Sequence, residues 1–175
     1  MQDDAPSPAP AELITPAFYA PGRFRPDQSV GYLMRQVLSS ILNQVDNRLA
    51  AHDLTYAQWL PLFKLVMNEC PNTMAMLSRE LGIDPGAMTR SLDRLEAKGL
   101  VQRERSATDR RVVHITLTPA GREVAAHVPP VLSAVLNQHL VGFSADEWQT
   151  LLTLLRRMLS NAEAMRQAPD EGARP

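Results

Sequence analysis

The sequence predicts a mainly α-helical protein with one small β-hairpin, built as a single domain with a tail at each end. Three observations predict this fold class. Apolar residues recur at helical spacing through most of the chain, one stretch between residues 100 and 117 alternates apolar and polar residues, and both ends are rich in proline. A length of 175 residues fits one domain with a sizeable core.

Net charge and cysteine content narrow the functional classes. Eighteen basic residues against 19 acidic residues give a net charge of −1, so a case for nucleic-acid binding must rest on local clustering of charge. Cys70 is the only cysteine, which excludes an internal disulfide and a cysteine-based zinc site. The acidic N-terminus lacks the features of a secretory signal, and the uncharged stretch 124–145 contains two prolines. We therefore expect a cytoplasmic protein without a membrane span.

The two ends of the chain are predicted to be tails. Residues 1–12 and 167–175 combine proline and charged residues without helical periodicity, and we expect residues 1–12 to be disordered. Residues 13–28 are predicted to form an extended N-terminal arm, because they carry apolar side chains that can be buried. These side chains are Leu13, Ile14, Phe18, Tyr19 and Phe24.

Three helices are predicted in the first half of the domain. Apolar residues at helical spacing place the first over residues 29–52. The second begins after Thr55, whose hydroxyl can cap it while Gln58 reaches back, and it ends before Pro71. The third runs from Thr73 to Leu81 and is stopped by Gly82.

A fourth helix opens at Asp84 and Pro85, a capping carboxylate followed by proline at the first helical position, and closes before Gly99. Its apolar residues share one face, which we expect to be buried. Helical spacing leaves the other face to small, polar and charged residues. These are Gly86, Thr89, Arg90, Asp93 and Arg94.

The remaining chain predicts a hairpin and two more helices. Alternating apolar residues on either side of a charged segment indicate a two-stranded β-hairpin with a charged tip. Thr118 and Pro119 begin a fifth helix, which Pro129 and Pro130 should break or bend. Ser144, with a glutamate three residues later, forms a capping box for the sixth.

Two short helices, a tight turn and a charged hairpin form the outline of a winged helix-turn-helix, whose second helix enters the major groove of DNA. Arg90 and Arg94 lie on one ridge beside Thr89, and they offer guanidinium groups for guanine or phosphate. Gly86 lets the backbone approach the duplex. We place this unit at residues 55–118, within a domain of residues 29–166.

The hairpin carries a local excess of positive charge. Five basic and two acidic residues between Lys98 and Arg111 give a net charge of +3, so the rest of the chain carries −4. A basic wing on an acidic body favours oriented contact with phosphates over indiscriminate coating. The predicted contacts in the wing are Arg105, Asp109, Arg110 and Arg111.

The segment from Leu77 to Gly121 resembles the MarR family of bacterial transcriptional regulators. The specific features are a Thr-Arg pair, the run DRLEAKGLV, the DRR tip and the run LTPAG, in this order. The resemblance extends over roughly residues 29–166. It implies a homodimeric repressor that binds a pseudo-palindromic operator in double-stranded DNA, with Thr89 and Arg90 reading bases. It also implies that Arg111 enters the minor groove while Asp109 steadies the wing.

Three predicted helices support a dimer independently of the resemblance. The first, fifth and sixth helices carry more apolar surface than a single thin winged domain can cover, and such patches normally mark an interface. We therefore predict dimerisation through residues 29–52 and 119–166. The sixth helix shows this most plainly, and the alternative is that it packs only within its own chain. Its apolar residues are Leu151, Leu152, Leu154, Leu155, Met158 and Leu159.

The resemblance to the MarR family also implies an effector, because its members commonly release DNA when a small aromatic carboxylic acid binds. The aromatic-rich N-terminal arm is similar to those of members tied to aromatic-acid catabolism. An arginine among aromatic residues suits such a ligand. The alternative is that these aromatic residues belong to the core. The candidate effector residues are Tyr32, Arg35, His52, Trp59 and Phe63.

Other classes of function fit the sequence less well. A redox-responsive regulator acting through Cys70 is one alternative, although no basic residue adjoins this thiol and Glu69 would raise its pKa. An all-α protein-interaction module without DNA binding is another. The four histidines lack metal-ligand spacing, and no catalytic or nucleotide-binding motif is present. We expect neither a metal, nor a cofactor, nor an enzyme.

Overall fold

The computed structural model describes residues 15–67, 72–106, 109 and 112–167. The chain divides into two compact units, residues 1–39 and residues 40–175. The first helix runs across the boundary between them. Within the described residues, no helix is long and apolar enough to cross a membrane.

The first unit contains the N-terminal arm and the beginning of α1 (Val30–Leu49). A single 3-10 turn covers Pro26–Gln28. The Tyr19 hydroxyl accepts a hydrogen bond from the Val30 N–H at 3.0 Å and so satisfies one free donor at the start of α1. In the single chain Phe18 is 86% exposed, and Tyr19 and Phe24 are also exposed, so the burial expected of the arm side chains stays a prediction. Leu13 and Ile14 lie outside the described residues.

The second unit contains the remaining helices. After α1, a 3-10 turn covers Ala50–His52. The helices of this unit and their bounds are α2 (Tyr56–Met67), α3 (Met74–Leu81), α4 (Pro85–Ala97), α5 (Pro119–Ala125), α6 (Val128–His139) and α7 (Ala145–Gln167).

Local signals in the sequence explain most of the helix ends. Thr73 caps α3 by accepting from the Met76 N–H at 3.2 Å, and Gly82 ends it with a φ of 63°. Asp84 caps α4 by accepting from the Ala87 N–H at 3.1 Å. Ser144 and Glu147 form the reciprocal capping box that opens α7.

The proline pair divides the predicted fifth helix into two. The segment ends as α5 at Ala125 and resumes as α6 at Val128, with Pro129 in the first turn, where a missing N–H costs nothing. The prediction that these prolines break or bend the helix is therefore confirmed.

A three-stranded antiparallel sheet in the order β1-β3-β2 forms the wing. The strands are β1 (Asn72–Thr73), β2 (Val101–Arg105) and β3 (Val113–Leu117). The predicted hairpin is present, with Arg103 opposite Ile115. The short strand β1, which pairs with β3 through Asn72 and Ile115, was not predicted. Two residues are too few to show an alternating pattern, so only the tertiary pairing reveals them.

The core of the second unit lies between the helices and one face of the sheet. Its fully buried side chains come from α1, α2, α3, α4, β3 and α6, so the sheet and α4 are fixed to the same apolar centre. The buried leucines, isoleucine, methionine and valines are Val45, Leu49, Leu62, Leu77, Met88, Leu92, Leu95, Ile115, Val128 and Val135. In contrast, α7 has no buried residue.

Candidate nucleic-acid interface

The turn between α3 and α4 sets the angle of the helix pair. The Ser78 hydroxyl donates to the carbonyl of Ile83, and the Ile83 N–H donates to the Ser78 carbonyl at 3.0 Å. Gly82 adopts the left-handed conformation that this turn requires. These bonds join the two helices tightly, as in a helix-turn-helix.

The inner face of α4 is sealed in the core. Met88, Leu92 and Leu95 are each 0% exposed. Helical spacing therefore places Arg90 and Arg94 on the outer face, as the sequence predicts. We call α4 the recognition helix from here on.

The outer face of the recognition helix is polar and positively charged. Gly86, Arg90 and Arg94 are exposed. Among the residues that the structure describes, neither Arg90 nor Arg94 forms an ion pair. Both guanidinium groups are therefore available to a ligand, which suits contact with guanine edges or phosphates.

Gly86 and Thr89 are less free than the sequence suggests. A Cβ on Gly86 would lie 3.1 Å from the capping oxygen of Asp84 and 3.5 Å from Nη1 of Arg90, so the first turn is already crowded. Thr89 is half-buried, and its hydroxyl lies 2.9 Å from the Pro85 carbonyl and 3.1 Å from Sδ of Met74. The hydroxyl proton is used within the protein, so Thr89 can offer a base only an acceptor unless that bond opens.

The basic residues of the wing divide into paired and unpaired groups. Lys98 contacts Asp53, with Nζ 2.9 Å from Oδ2, and Arg103 contacts both Asp93 and Glu96. Arg105, on β2, is exposed and forms no ion pair within the described part of the chain. The predicted net charge of +3 in this segment is therefore only partly available to DNA.

The tip of the wing is closed by hydrogen bonds around Asp109, one to a side chain and two between backbone groups. Its N–H donates to the Ser106 hydroxyl at 3.3 Å, and its carbonyl accepts from the Val112 N–H at 2.9 Å. The Ser106 N–H in turn donates to the Val112 carbonyl at 2.9 Å. Arg110 and Arg111, the other predicted wing residues, lie outside the described residues.

The sequence did not single out the ion pairs of Lys98 and Arg103. Arg103 lies seven and ten residues after its partners Glu96 and Asp93, and it reaches them only because the chain reverses between α4 and β2. Lys98 and Asp53 are 45 residues apart. No local periodicity connects residues at these separations, so only the folded structure reveals the contacts.

The predicted effector residues belong to both units of the chain. Tyr32 and Arg35 are exposed on the part of α1 in the first unit, where the Tyr32 hydroxyl lies 3.4 Å from Nε2 of Gln36. Phe63, in the second unit, is half-buried against the core.

The other two candidates in the second unit are already in contact with neighbouring side chains. Trp59 is 2% exposed, and its indole N–H donates to Oδ1 of Asp46 at 2.7 Å. The His52 ring stacks on His127 with the ring centroids 4.0 Å apart. Trp59 is therefore a core residue in this conformation, and little of its surface is open to a ligand. No cluster of metal-binding side chains occurs in the described residues.

Comparison with known proteins places this arrangement among transcriptional regulators. A model of the MarR family matches residues 52–112. The solved structure of the transcriptional regulator PA3341 is 32% identical, with a TM-score of 0.73 over 78% of this chain and 99% of that chain. Wild-type MarR from E. coli, in its apo form, is 30% identical, with a TM-score of 0.64 over 75% of this chain and 96% of that chain.

A third similar structure extends the likeness in fold. It is MepR from S. aureus, solved as a complex with DNA. MepR is 23% identical, with a TM-score of 0.71 over 76% of this chain and 98% of that chain. At this level of identity the likeness concerns the fold alone.

Proposed function

The chain belongs to the MarR family of transcriptional regulators, and from that premise we propose that it acts as a homodimeric repressor that binds a pseudo-palindromic operator. One observation carries the proposal. The recognition helix is sealed on one face and presents two unpaired arginines, Arg90 and Arg94, on the other. An exposed ridge of this kind fits the major groove.

The wing supplies the second element of the proposed interface. Arg105 is exposed on β2, and hydrogen bonds around Asp109 close the tip of the wing; Arg110 and Arg111 follow Asp109 in the sequence. In the proposed complex these arginines contact the phosphates and the minor groove, where the negative potential attracts guanidinium groups. The likeness in fold to MepR, which was solved as a complex with DNA, supports DNA binding by a chain of this fold.

The dimer is proposed from the apolar surface of α7. This helix buries no residue, yet one of its faces carries large apolar side chains that are open to solvent in the single chain. A soluble protein normally covers such a surface with a partner. The exposed apolar side chains are Trp148, Leu151, Leu154, Met158, Leu159 and Met165.

Size-exclusion chromatography with light scattering tests the dimer. Leu159→Glu should shift the protein towards the monomer, because it places a charge in an apolar interface. Ser160→Glu is the matched control, since helical spacing places Ser160 on the opposite face of α7, and it should leave the dimer intact. A monomeric wild-type protein at micromolar concentration would contradict the proposal.

Fluorescence anisotropy with a labelled duplex from the region upstream of the protein's own coding sequence tests DNA binding. We expect sequence-preferring binding with a Kd of about 10⁻⁸ M or tighter at physiological salt, with an affinity that falls steeply as salt rises. Equal binding to a scrambled duplex would contradict an operator-binding function. An absence of binding to any duplex would favour the all-α protein-interaction module.

The proposed effector is a small aromatic carboxylic acid that releases the operator. Arg35 supports this part of the proposal, because its exposed guanidinium can bind a carboxylate through two hydrogen bonds. A thermal-shift screen of aromatic acids tests it, since a ligand that binds the native state raises the Tm. Arg35→Gln should abolish both the Tm shift and the release of DNA. An unchanged Tm shift in this variant would remove Arg35 from the site.

The second candidate is a redox-responsive regulator, which depends on Cys70. This residue lies outside the described residues. Cys70→Ser should leave release by ligand intact, and it should abolish any response to peroxide if the thiol is the sensor. A peroxide response that survives this substitution would exclude Cys70 as the sensor.

A further inference from the structure

We propose that Arg103 is a positioning residue that fixes the wing to the recognition helix, so that the two present their contacts to DNA as one unit; this inference rests on the proposed function. Nη2 of Arg103 lies 2.6 Å from Oδ1 of Asp93, and Nη1 lies 2.6 Å from Oε2 of Glu96. The two carboxylates lie three residues apart on the recognition helix. One guanidinium therefore bridges two points on the helix from a single point on β2.

The register of the sheet explains why Arg103 makes this contact. Arg103 is paired with Ile115, which is buried in the core, and Val101 two residues earlier is also buried. Residues two apart on a strand share a face of the sheet. The strand that buries Val101 in the core therefore places Arg103 on the same face, within reach of the recognition helix. The neighbouring Glu104 lies on the other face, with Oε1 2.6 Å from Nε2 of Gln102.

The contacts of Arg103 suit positioning better than stability or phosphate binding. Exposed ion pairs contribute little to folding stability, and the side chains of Asp93 and Glu96 are 55% and 39% exposed. A guanidinium, however, is planar and directs its donors at fixed angles, so bonds to two separate carboxylates restrict the orientation of the strand against the helix. Donors that are used in this way are not available to a phosphate.

The carboxylates allow a test in which positioning and simple electrostatics predict different results for the preference for the operator over other DNA. Asp93 and Glu96 lie beside Arg90 and Arg94 on the recognition helix, where negative charge repels DNA. If the carboxylates acted only through their charge, their removal would strengthen binding to every duplex alike. If they hold Arg103, their removal frees the wing, and the preference for the operator over other DNA falls.

The decisive variant is Asp93→Asn with Glu96→Gln, measured by anisotropy against the operator and a scrambled duplex. The control is Glu104→Gln with Glu123→Gln, which changes the net charge equally without touching Arg103. We expect the ratio of the two affinities to fall about three- to tenfold in the first variant and to stay constant in the control. An unchanged ratio in the first variant would overturn the proposal.

A second measurement does not depend on DNA. The ¹⁵N relaxation of the Arg103 side-chain Nε reports whether the guanidinium is ordered. We expect an ordered side chain in the wild type and in the control variant, and a mobile one in Asp93→Asn with Glu96→Gln. Equal mobility in all three would overturn the proposal even if DNA binding changes. If Arg103 is ordered but the wild type shows no preference among duplexes, the proposed function fails. The contacts of Arg103 with Asp93 and Glu96 then have a structural role without a role in DNA recognition.

Arg103→Lys separates bridging from charge. A lysine keeps the positive charge, but its single ammonium cannot direct two donors to the two carboxylates as a guanidinium does. Arg103→Met removes both the charge and the bridge, and we expect the preference of Arg103→Lys for the operator to lie between those of the wild type and Arg103→Met. A full preference in Arg103→Lys would show that charge alone suffices, and the positioning role would be overturned.

Discussion

The hydroxyl of Ser91 donates a hydrogen bond to the backbone carbonyl of Ala57. This carbonyl lacks its usual helical donor, because the residue four positions later is Pro61, which has no N–H. Ser91 is on the recognition helix and Ala57 is on α2, so the bond joins these helices at the point where the proline interrupts α2. A buried serine thus replaces the missing backbone donor.

Ser91→Ala should lower the free energy of unfolding by about 1 kcal/mol, because the carbonyl of Ala57 then has no donor. Urea denaturation measures the change. In a Pro61→Ala background the backbone can supply the donor again, so the cost of Ser91→Ala should shrink. Strictly additive effects of the two substitutions would contradict this account.

Arg90→Ala and Arg111→Ala should weaken DNA binding in different ways. Loss of a bidentate base contact at Arg90 should cost about 1 to 3 kcal/mol and relax sequence preference. Loss of Arg111 should weaken binding to all duplexes and reduce the salt dependence. Arg157→Ala on α7 is the matched control. If either variant binds the operator as tightly as the wild type, its arginine does not contact DNA.

Lys98→Met should lower stability without changing the salt dependence of DNA binding. The Lys98 ammonium contacts the carbonyl and carboxylate of Asp53, and it lies 3.3 Å from Oε1 of Gln58. Because this charge is satisfied within the protein, its removal should reduce the Tm but release no additional counterions. Arg94→Gln should instead reduce the salt slope by about one. A reduced slope in Lys98→Met would show that the ammonium contacts phosphate.

Gly121→Ala should destabilise the protein by about 3 kcal/mol or prevent folding, because overpacking here displaces backbone. A Cβ at this position would lie 1.8 Å from the carbonyl oxygen of Leu100, which also accepts from the Thr118 N–H at 3.1 Å. Gly31→Ala is the control, since no atom outside its chain neighbours and the adjacent backbone of its own helix lies within 4 Å of the added Cβ. That variant should gain helix propensity and lose no stability. Thermal unfolding distinguishes the two.

The cap of α7 should depend on pH. The backbone N–H of Ser144, and then its hydroxyl, lower the pKa of Glu147 below its ordinary value of 4.5. A carboxylate with a lowered pKa stabilises the fold above pH 4.5, and this contribution is lost as the pH falls through the native pKa. Thermal unfolding should therefore show Glu147→Gln to be less stable than the wild type at pH 7, and the difference should shrink as the pH is lowered below 4.5. A difference that stays constant as the pH falls through the acid range would contradict the role of the charge.

Much of the candidate interface could be predicted from local sequence signals. The caps at Thr73 and Asp84 and the left-handed Gly82 act within a few residues of themselves, so the sequence places the helix ends correctly. The buried face of the recognition helix follows from periodicity in the same way. The absence of an ion pair at Arg90 among the described residues could not be predicted from the sequence. It depends on which carboxylates from distant parts of the chain the fold brings close to this guanidinium.

The sequence by itself determined the order of the helices and of the two hairpin strands, the outward face of the recognition helix and the break at Pro129, because each depends on neighbouring residues along the chain. The strand β1 was found only through its pairing with β3. The tertiary structure alone decided which charges are free. Arg103 and Lys98 are neutralised by carboxylates, whereas Arg90, Arg94 and Arg105 form no ion pair within the described chain. The physical reason is that ion pairing depends on distance in space, and the fold brings together residues that no local pattern connects.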